Sequence, residues 1–470
     1  MIRAVGYLRQ YKQFQRNARL YLLAMVIAGL AGGMVLTIQS LYFSALGYGT
    51  DFIGVLILAV IVGSGITLVP AGLCVDRFSG KTILIWSKVL LILAAMVNIL
   101  LRDATSMCVS AFFIGIGSAF VMVLHGPFLT RNSTPDERVH LFGMGTVLGL
   151  VTAVLGEMFG GVLPLWLREH SWAMLPQLSW LLAPESLARS YQITLLLSII
   201  FVLPAFIPFL LMTDDCPSGA RVVEKQSHLL RSEPKKMLLS LLKRFKSNKA
   251  AVTQQDTTSL GFWQNARSVL FSPLAMVTSV SMLANIGAGL LSPYFSLFFV
   301  QQVGMTSALF GLVDGIAQLM SAVGILLAPW LVTRVGRITA ILLPRLLAIP
   351  LLLCIAMPIS VPLVAILHPL RQFMSGLPIG LWQAFSMEVL PNERRGLANS
   401  SYLGAGQLAW AVAAPAGGVM IHKLGYIPVF WMTALCSLLA VVLFWWRFGG
   451  KRFATTQEQD SQDAKESVTP

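Results

Sequence analysis

Residues 72–81 read Gly72-Leu73-Cys74-Val75-Asp76-Arg77-Phe78-Ser79-Gly80-Lys81, a short charged turn between two apolar runs, 52–75 and 82–101. Asp76, Arg77 and Lys81 within six residues do not lie in hydrocarbon, and apolar runs of about 20 residues are the length that crosses it. The turn therefore marks a place where the chain leaves a membrane and re-enters it. Moving outward, further apolar runs cover 20–46, 105–129, 139–166 and 190–213, then 269–302, 306–332, 338–358, 361–389, 396–422 and 426–448, twelve in all.

Composition agrees with that count. The 470 residues are 56% hydrophobic and only 11% charged, with a mean hydropathy of +0.75. Soluble chains carry about 25% charged residues, so this chain lacks the charge to cover a water-facing surface. A soluble enzyme, a disordered protein and a nucleic-acid binder are excluded. A membrane β-barrel is excluded as well, because its strands alternate instead of running continuously apolar. The fold class is an all-α membrane protein.

The net charge of +14 is a matter of topology. With the N-terminus inside, 27 of the 34 lysines and arginines fall on cytoplasmic segments. The outer segments hold only Arg102, Arg168, Arg189 and Lys423, and Lys88, Arg345 and Arg371 lie within spans. By the positive-inside rule both termini are expected in the cytoplasm. The expected organisation is a basic arm over 1–19, a six-helix bundle over 20–213, a cytoplasmic linker over 214–268, a second bundle over 269–448 and a polar tail over 449–470. The arm leads into an apolar run too long and too glycine-broken for a cleaved signal peptide. The five cysteines show neither a CxxC pair nor metal-ligand spacing, so no disulfide framework and no cofactor is expected.

The two bundles repeat one another. Gly47 and Gly304, Gly54 and Gly311, Arg77 and Arg334, and Gly160-Gly161 and Gly417-Gly418 are each 257 residues apart; Pro135-Asp136-Glu137-Arg138 and Pro391-Asn392-Glu393-Arg394 are 256 apart. Six is an even number of spans, so both copies keep one orientation. The result is a parallel repeat about an axis along the membrane normal, an arrangement that places a site between two rocking halves.

On these residues the chain resembles the major facilitator superfamily over roughly 19–448, and within it the drug- and solute-exporting branch. The turn from Gly72 through Asp76, Arg77 and Lys81 is similar to the family's cytoplasmic G-x-x-x-D-R-x-G-R-K signature, with Ser79-Gly80 in place of Gly-Arg. Its second copy keeps Arg334, Gly336 and Arg337 but has Thr333 in place of the acid. The resemblance implies a breakable latch between cytoplasmic helix ends, built from helix dipoles and an ion pair. Gly156-Glu157-Met158-Phe159-Gly160-Gly161 resembles the antiporter-associated G-P-x-x-G-G motif with Glu157 where proline is usual, and Ala414-Pro415-Ala416-Gly417-Gly418 keeps the proline. Small residues at this spacing also serve plain close packing of helices.

Ionisable groups within spans are the candidates for transport, because burying them is costly. Glu157 stands about 27 Å from the cytoplasmic end of its helix by helical rise, and Asp314 lies on the eighth span. Arg345 and Arg371 are the buried bases, with Arg345 near enough to the cytoplasm to snorkel. Asn285, Gln39, Gln318, Gln383 and Gln407, with Tyr42, Tyr294, Trp382, Tyr402 and Trp410, are candidates for an amphipathic cavity lining or for interhelical contacts. His125 is a candidate proton site or a packing histidine. The six histidines form no cluster in the sequence, which argues against a membrane-embedded enzyme. Gly80-Lys81-Thr82 lacks the first glycine of a phosphate loop and no strand precedes it, so no nucleotide partner is expected. The expectation is a monomeric secondary transporter in a cell membrane, a bacterial inner membrane by its short loops, exporting small amphipathic molecules against protons. A sugar or organic-anion importer, a lipid translocator and a non-transporting scaffold are the alternatives.

Overall fold

The computed structural model describes residues 14–214, 272–357, 360–389 and 395–449. The expected arm, linker and tail fall largely outside the described residues. Twelve long helices follow in order: α1 (Arg16–Ala45), α2 (Thr50–Arg77), α3 (Gly80–Leu100), α4 (Ala104–Arg131), α5 (Pro135–Glu169) and α6 (Ser186–Leu211). Then come α7 (Leu274–Gln302), α8 (Ser307–Val335), α9 (Arg337–Ala356), α10 (Val361–Val389), α11 (Arg395–Leu424) and α12 (Tyr426–Phe448). α5 begins ahead of its apolar run, at 135 rather than 139. At the start of α5 the Thr134 hydroxyl and the Glu137 carboxylate close a reciprocal capping box, carrying the helix back to Pro135.

Among the described residues, eleven of the twelve are long and apolar enough to cross a membrane. The exception, α10, carries His368, Arg371 and Gln372 near its middle. Its shortfall in hydropathy is itself a clue to where polar chemistry sits. Large apolar side chains such as Ile66, Val69, Trp86, Leu326, Trp330, Trp445 and Trp446 are exposed on the outer faces of the helices, a surface that suits acyl chains and would be unfavourable in water.

Within each half the same helices touch. α1 packs on α5 and α6, α2 on α4, and α3 on α4; in the second half α7 packs on α11 and α12, α8 on α10, and α9 on α10. The halves meet through α5 against α8 and α2 against α11. The 257-residue offset recurs in the contacts themselves. Ser307 donates to the Gly161 carbonyl at 2.8 Å, and Thr50, its counterpart, donates to the Gly418 carbonyl at 2.9 Å. Gly311 faces the backbone of Glu157 and Gly161, and its counterpart Gly54 faces Pro415 and the Tyr294 hydroxyl. Gln301 donates to Ser44 at 2.7 Å, a bond between two positions 257 apart and hence beside the pseudo-twofold axis. Gly47 and Gly304 both turn with positive φ, 91° and 80°, as glycine readily does.

These links lie at one end of the molecule, opposite the end where α1 begins and α12 finishes. We call it the far end. Tyr294 ties α7 to α11 there, donating to the Ala414 carbonyl at 2.7 Å from a fully buried position. Tyr294→Phe removes this inter-helix bond, so it is expected to cost about 1 kcal/mol, read as a lowered midpoint of thermal unfolding in detergent.

Candidate functional site

Behind the far-end contacts, a cavity of about 440 Å³ lies between the halves. Glu157 of α5 enters it from the first half. Asp314 and Gln318 of α8, His368, Arg371, Gln372 and Ser375 of α10, and Ser292, Phe295 and Ser296 of α7 enter from the second. Local periodicity explains the set. Asp314 and Gln318 are four residues apart, and His368, Arg371, Gln372 and Ser375 recur at three- and four-residue steps, so each series shares one helix face.

The polar groups fall into two clusters. Glu157 is fully buried; Gln318 Nε2 donates to its Oε1 at 2.5 Å, and its Oε2 has no hydrogen-bond partner. His368, only 1% exposed, meets Asp314 Oδ1 through Nε2 at 2.9 Å, while its Nδ1 is unpartnered. The imidazole is boxed by Phe295 and Phe299, with ring centroids 5.5 and 4.9 Å away. Arg371 lies 5.0 Å over the Phe295 ring and donates through Nη2 to Gln372 Oε1 at 3.1 Å, leaving Nε unpartnered. Three buried polar atoms without a protein partner thus belong to three residues lining one cavity. Such atoms are costly unless a ligand, water or proton satisfies them.

Among the expected site residues, the structure brings Glu157, Asp314 and Arg371 together and places Arg345 and Asn285 elsewhere. Arg345 lies 4.7 Å over the Trp382 ring on α10, away from the cavity wall. Asn285 donates to the Ser281 carbonyl one turn back, and Gly406 of α11 faces its amide, a helix-crossing position. Arg345→Gln removes this cation–π contact, worth about 1 kcal/mol, and is expected to lower the midpoint of thermal unfolding in detergent while leaving the transport rate in a liposome assay unchanged. Tyr42, Tyr294 and Trp382 are buried in the packed core, and the Tyr402 side chain lies outside the described ones. His125 Nδ1 and the Tyr21 hydroxyl share a 2.9 Å hydrogen bond, and the imidazole packs on Phe142.

The glycine motifs sit at crossings. Gly156 and Gly160 face the backbone of Leu30 and Met34 on α1, Gly417 faces Leu290 on α7, and Gly161, Gly418 and Pro415 lie in the seam between the halves. Of the signature turn, Gly72 has open space around it, Asp76 and Arg77 are exposed at the end of α2, and Arg334 is exposed at the end of α8. Gly336 has a φ of 79°, which requires glycine to pass from α8 to α9, and Arg337 lies 5.7 Å over Phe385.

Sequence reasoning left out His368. It lay three residues before Arg371 on the same helix, and that spacing was the available signal. Every charged group of the cavity also has an apolar counterpart in the other half: Ala414 for Glu157, Ile57 for Asp314, Ala111 for His368 and Ile114 for Arg371.

Two bundles related by a repeat, joined at one end over a buried polar cavity, define a multi-pass membrane protein with the fold of a transporter. Residues 21–357 and 277–470 match the model of the Major Facilitator Superfamily, and the chain belongs to that superfamily. No curated protein matches it. Solved structures share the fold at low identity. A bacterial homologue of the iron transporter ferroportin, in an inward-facing state, is 15% identical with a TM-score of 0.65, covering 92% of this chain and 98% of that one. A bacterial homologue of the human lysosomal transporter Spinster, inward-facing and unoccupied, is 14% identical with a TM-score of 0.65, covering 92% and 96%. A D-xylose–proton symporter is 13% identical with a TM-score of 0.61, covering 91% and 97%.

Proposed function

We propose that this protein is a secondary transporter that moves small amphipathic molecules out of the cell in exchange for protons, by rocking its two halves about the cavity. The observation that carries the reading is Glu157. Its carboxyl is fully buried, has one oxygen without a partner, and faces the Asp314–His368–Arg371 cluster of the other half. A carboxylate without a cation is strongly disfavoured in such a place, whereas the neutral acid is not. Glu157 therefore holds a proton while the far end is shut. It releases the proton when rocking admits water or when a cationic group arrives. Asp314 is held by His368 across the cavity at 2.9 Å, so the two acids stand in different surroundings.

Lysine and arginine placement supports cytoplasmic termini, and on that reading the far end is the outer one. The exposed Asp76, Arg77 and Arg334 then belong to a latch that engages only when the cytoplasmic ends close. Asp51 and His422, 3.7 Å apart across the outer seam, add a weak tie there when the imidazole is protonated.

The test is a pH-gradient assay in liposomes containing the full chain. A panel of cationic, neutral and anionic amphiphiles is added, and the internal pH is followed. Gradient collapse by some of them, absent from protein-free liposomes and abolished in Asp314→Asn, is the expected result. No protein-dependent proton movement with any compound overturns the reading.

A further inference from the structure

A second cavity, about 420 Å³, lies inside the first half between α1, α3, α4 and α6. Its walls are mostly Ala, Val, Leu and Ile side chains, and Leu36 of α1 lines both this chamber and the central cavity. Lys88 is its one charged lining residue. Among the described residues the Lys88 ammonium has neither a hydrogen bond nor an ion pair, and the same holds for the Gln39 amide in the same chamber.

The internal repeat shows how unusual this is. The counterpart of Lys88, 257 residues on, is Arg345, which rests its charge on the face of Trp382 at 4.7 Å. The counterpart of Trp382 is His125, and His125 is already engaged by Tyr21 at 2.9 Å. The first half thus keeps the cation but lacks the aromatic platform that satisfies it in the second. An ammonium left among apolar walls at membrane depth costs several kcal/mol unless something pairs with it.

The rest of the chamber narrows what that partner is. Ser118 and Ser198 donate their hydroxyl protons to the Ile114 and Leu195 carbonyls, and the Asn98 amide donates to Met107 and Ser110. The charged donor still available is Lys88, which calls for an anionic acceptor group. From Lys88 to Ile99 the wall of α3 runs eleven residues, about 16 Å by helical rise. The result is an apolar space of about that length with a positive charge toward one end.

We propose that the chamber binds a single-chain anionic amphiphile, with a carboxylate or phosphate head on Lys88 and the alkyl chain lying along α3 toward Gln39. That the bound molecule is cargo rests on the transporter reading of the central cavity. Binding itself does not.

The experiment uses the full chain in nanodiscs of neutral lipid, with radiolabelled decanoate as the probe and empty nanodiscs as the blank. Saturable decanoate binding is expected, weakened about tenfold or more in Lys88→Gln, the loss of one charged hydrogen bond, and recovered in Lys88→Arg. Decyl phosphate as competitor tells a phosphate head from a carboxylate one, and either displacing the probe supports the site. Decylamine competing as well as decanoate, unchanged affinity in Lys88→Gln, or no saturable binding overturns it. Decanoate binding that persists in Glu157→Gln while proton movement is lost separates the chamber from the coupling step. Proton movement without decanoate binding would sink the chamber alone.

Discussion

Glu157→Gln is expected to stop proton movement altogether, with the internal pH trace indistinguishable from that of empty liposomes. The substitution is nearly isosteric. The side-chain carbonyl of glutamine still accepts from Gln318, and the new amide occupies the place of the unpartnered oxygen. Folding and the seam between the halves should survive, as a detergent melting midpoint within a few degrees of the unmodified chain would show. The side chain can no longer exchange a proton, so one leg of the cycle is blocked. If Glu157→Gln still carried protons at an undiminished rate, the acid would be a packing group and the coupling reading would fall.

Gly311→Val is expected to have an effect of similar size by a mechanical route. Gly311 of α8 faces the backbone of Glu157 and Gly161 so closely that a Cβ has no room, and the neighbouring atoms are backbone, which does not swing aside. Overpacking at such a point costs ~3 kcal/mol, and the far ends relieve it by moving apart. A bias of that size shifts the ratio of closed to open far ends by about 100-fold. A cysteine introduced at Ser307, whose buried hydroxyl bonds the Gly161 carbonyl in the closed seam, should become much more accessible to a membrane-impermeant thiol reagent in the Gly311→Val background. Unchanged labelling would mean that the seam does not govern opening. Gly54→Val, the counterpart in α2, should behave alike.

Much of this was legible in the sequence, for a physical reason. Apolar length reports spans directly, and the duplication is written as one offset shared by Gly54, Gly161, Arg77 and their partners. In-span acids are rare enough that Glu157 and Asp314 stood out. Arg371 and Arg345 looked alike because a hydropathy profile records how deep a base lies but not what it faces. Only the crossing of α9 with α10 puts Trp382 under Arg345, and only the meeting of α7 with α10 brings Phe295 beneath Arg371. His368 was hidden in a scatter of six histidines, since its meaning comes from Asp314 on another helix. Lys88 was visible only as a count in a charge tally. Its lack of a partner is a property of three-dimensional packing.

The seam has one more consequence. Glu157 contributes its backbone to the contact with Gly311 and, through the same residue, its carboxyl to the cavity. Thr37 on α1 also reaches the Glu157 carbonyl, at 3.5 Å. Mechanical closure and proton occupancy therefore share one residue, and thermodynamic linkage makes their influence reciprocal. Whatever free energy a proton on Glu157 adds to closure, closure returns as tighter hold on that proton. Strain applied at the seam, from a glycine substitution or from lateral pressure in the bilayer, should retune proton affinity without touching a single titratable group.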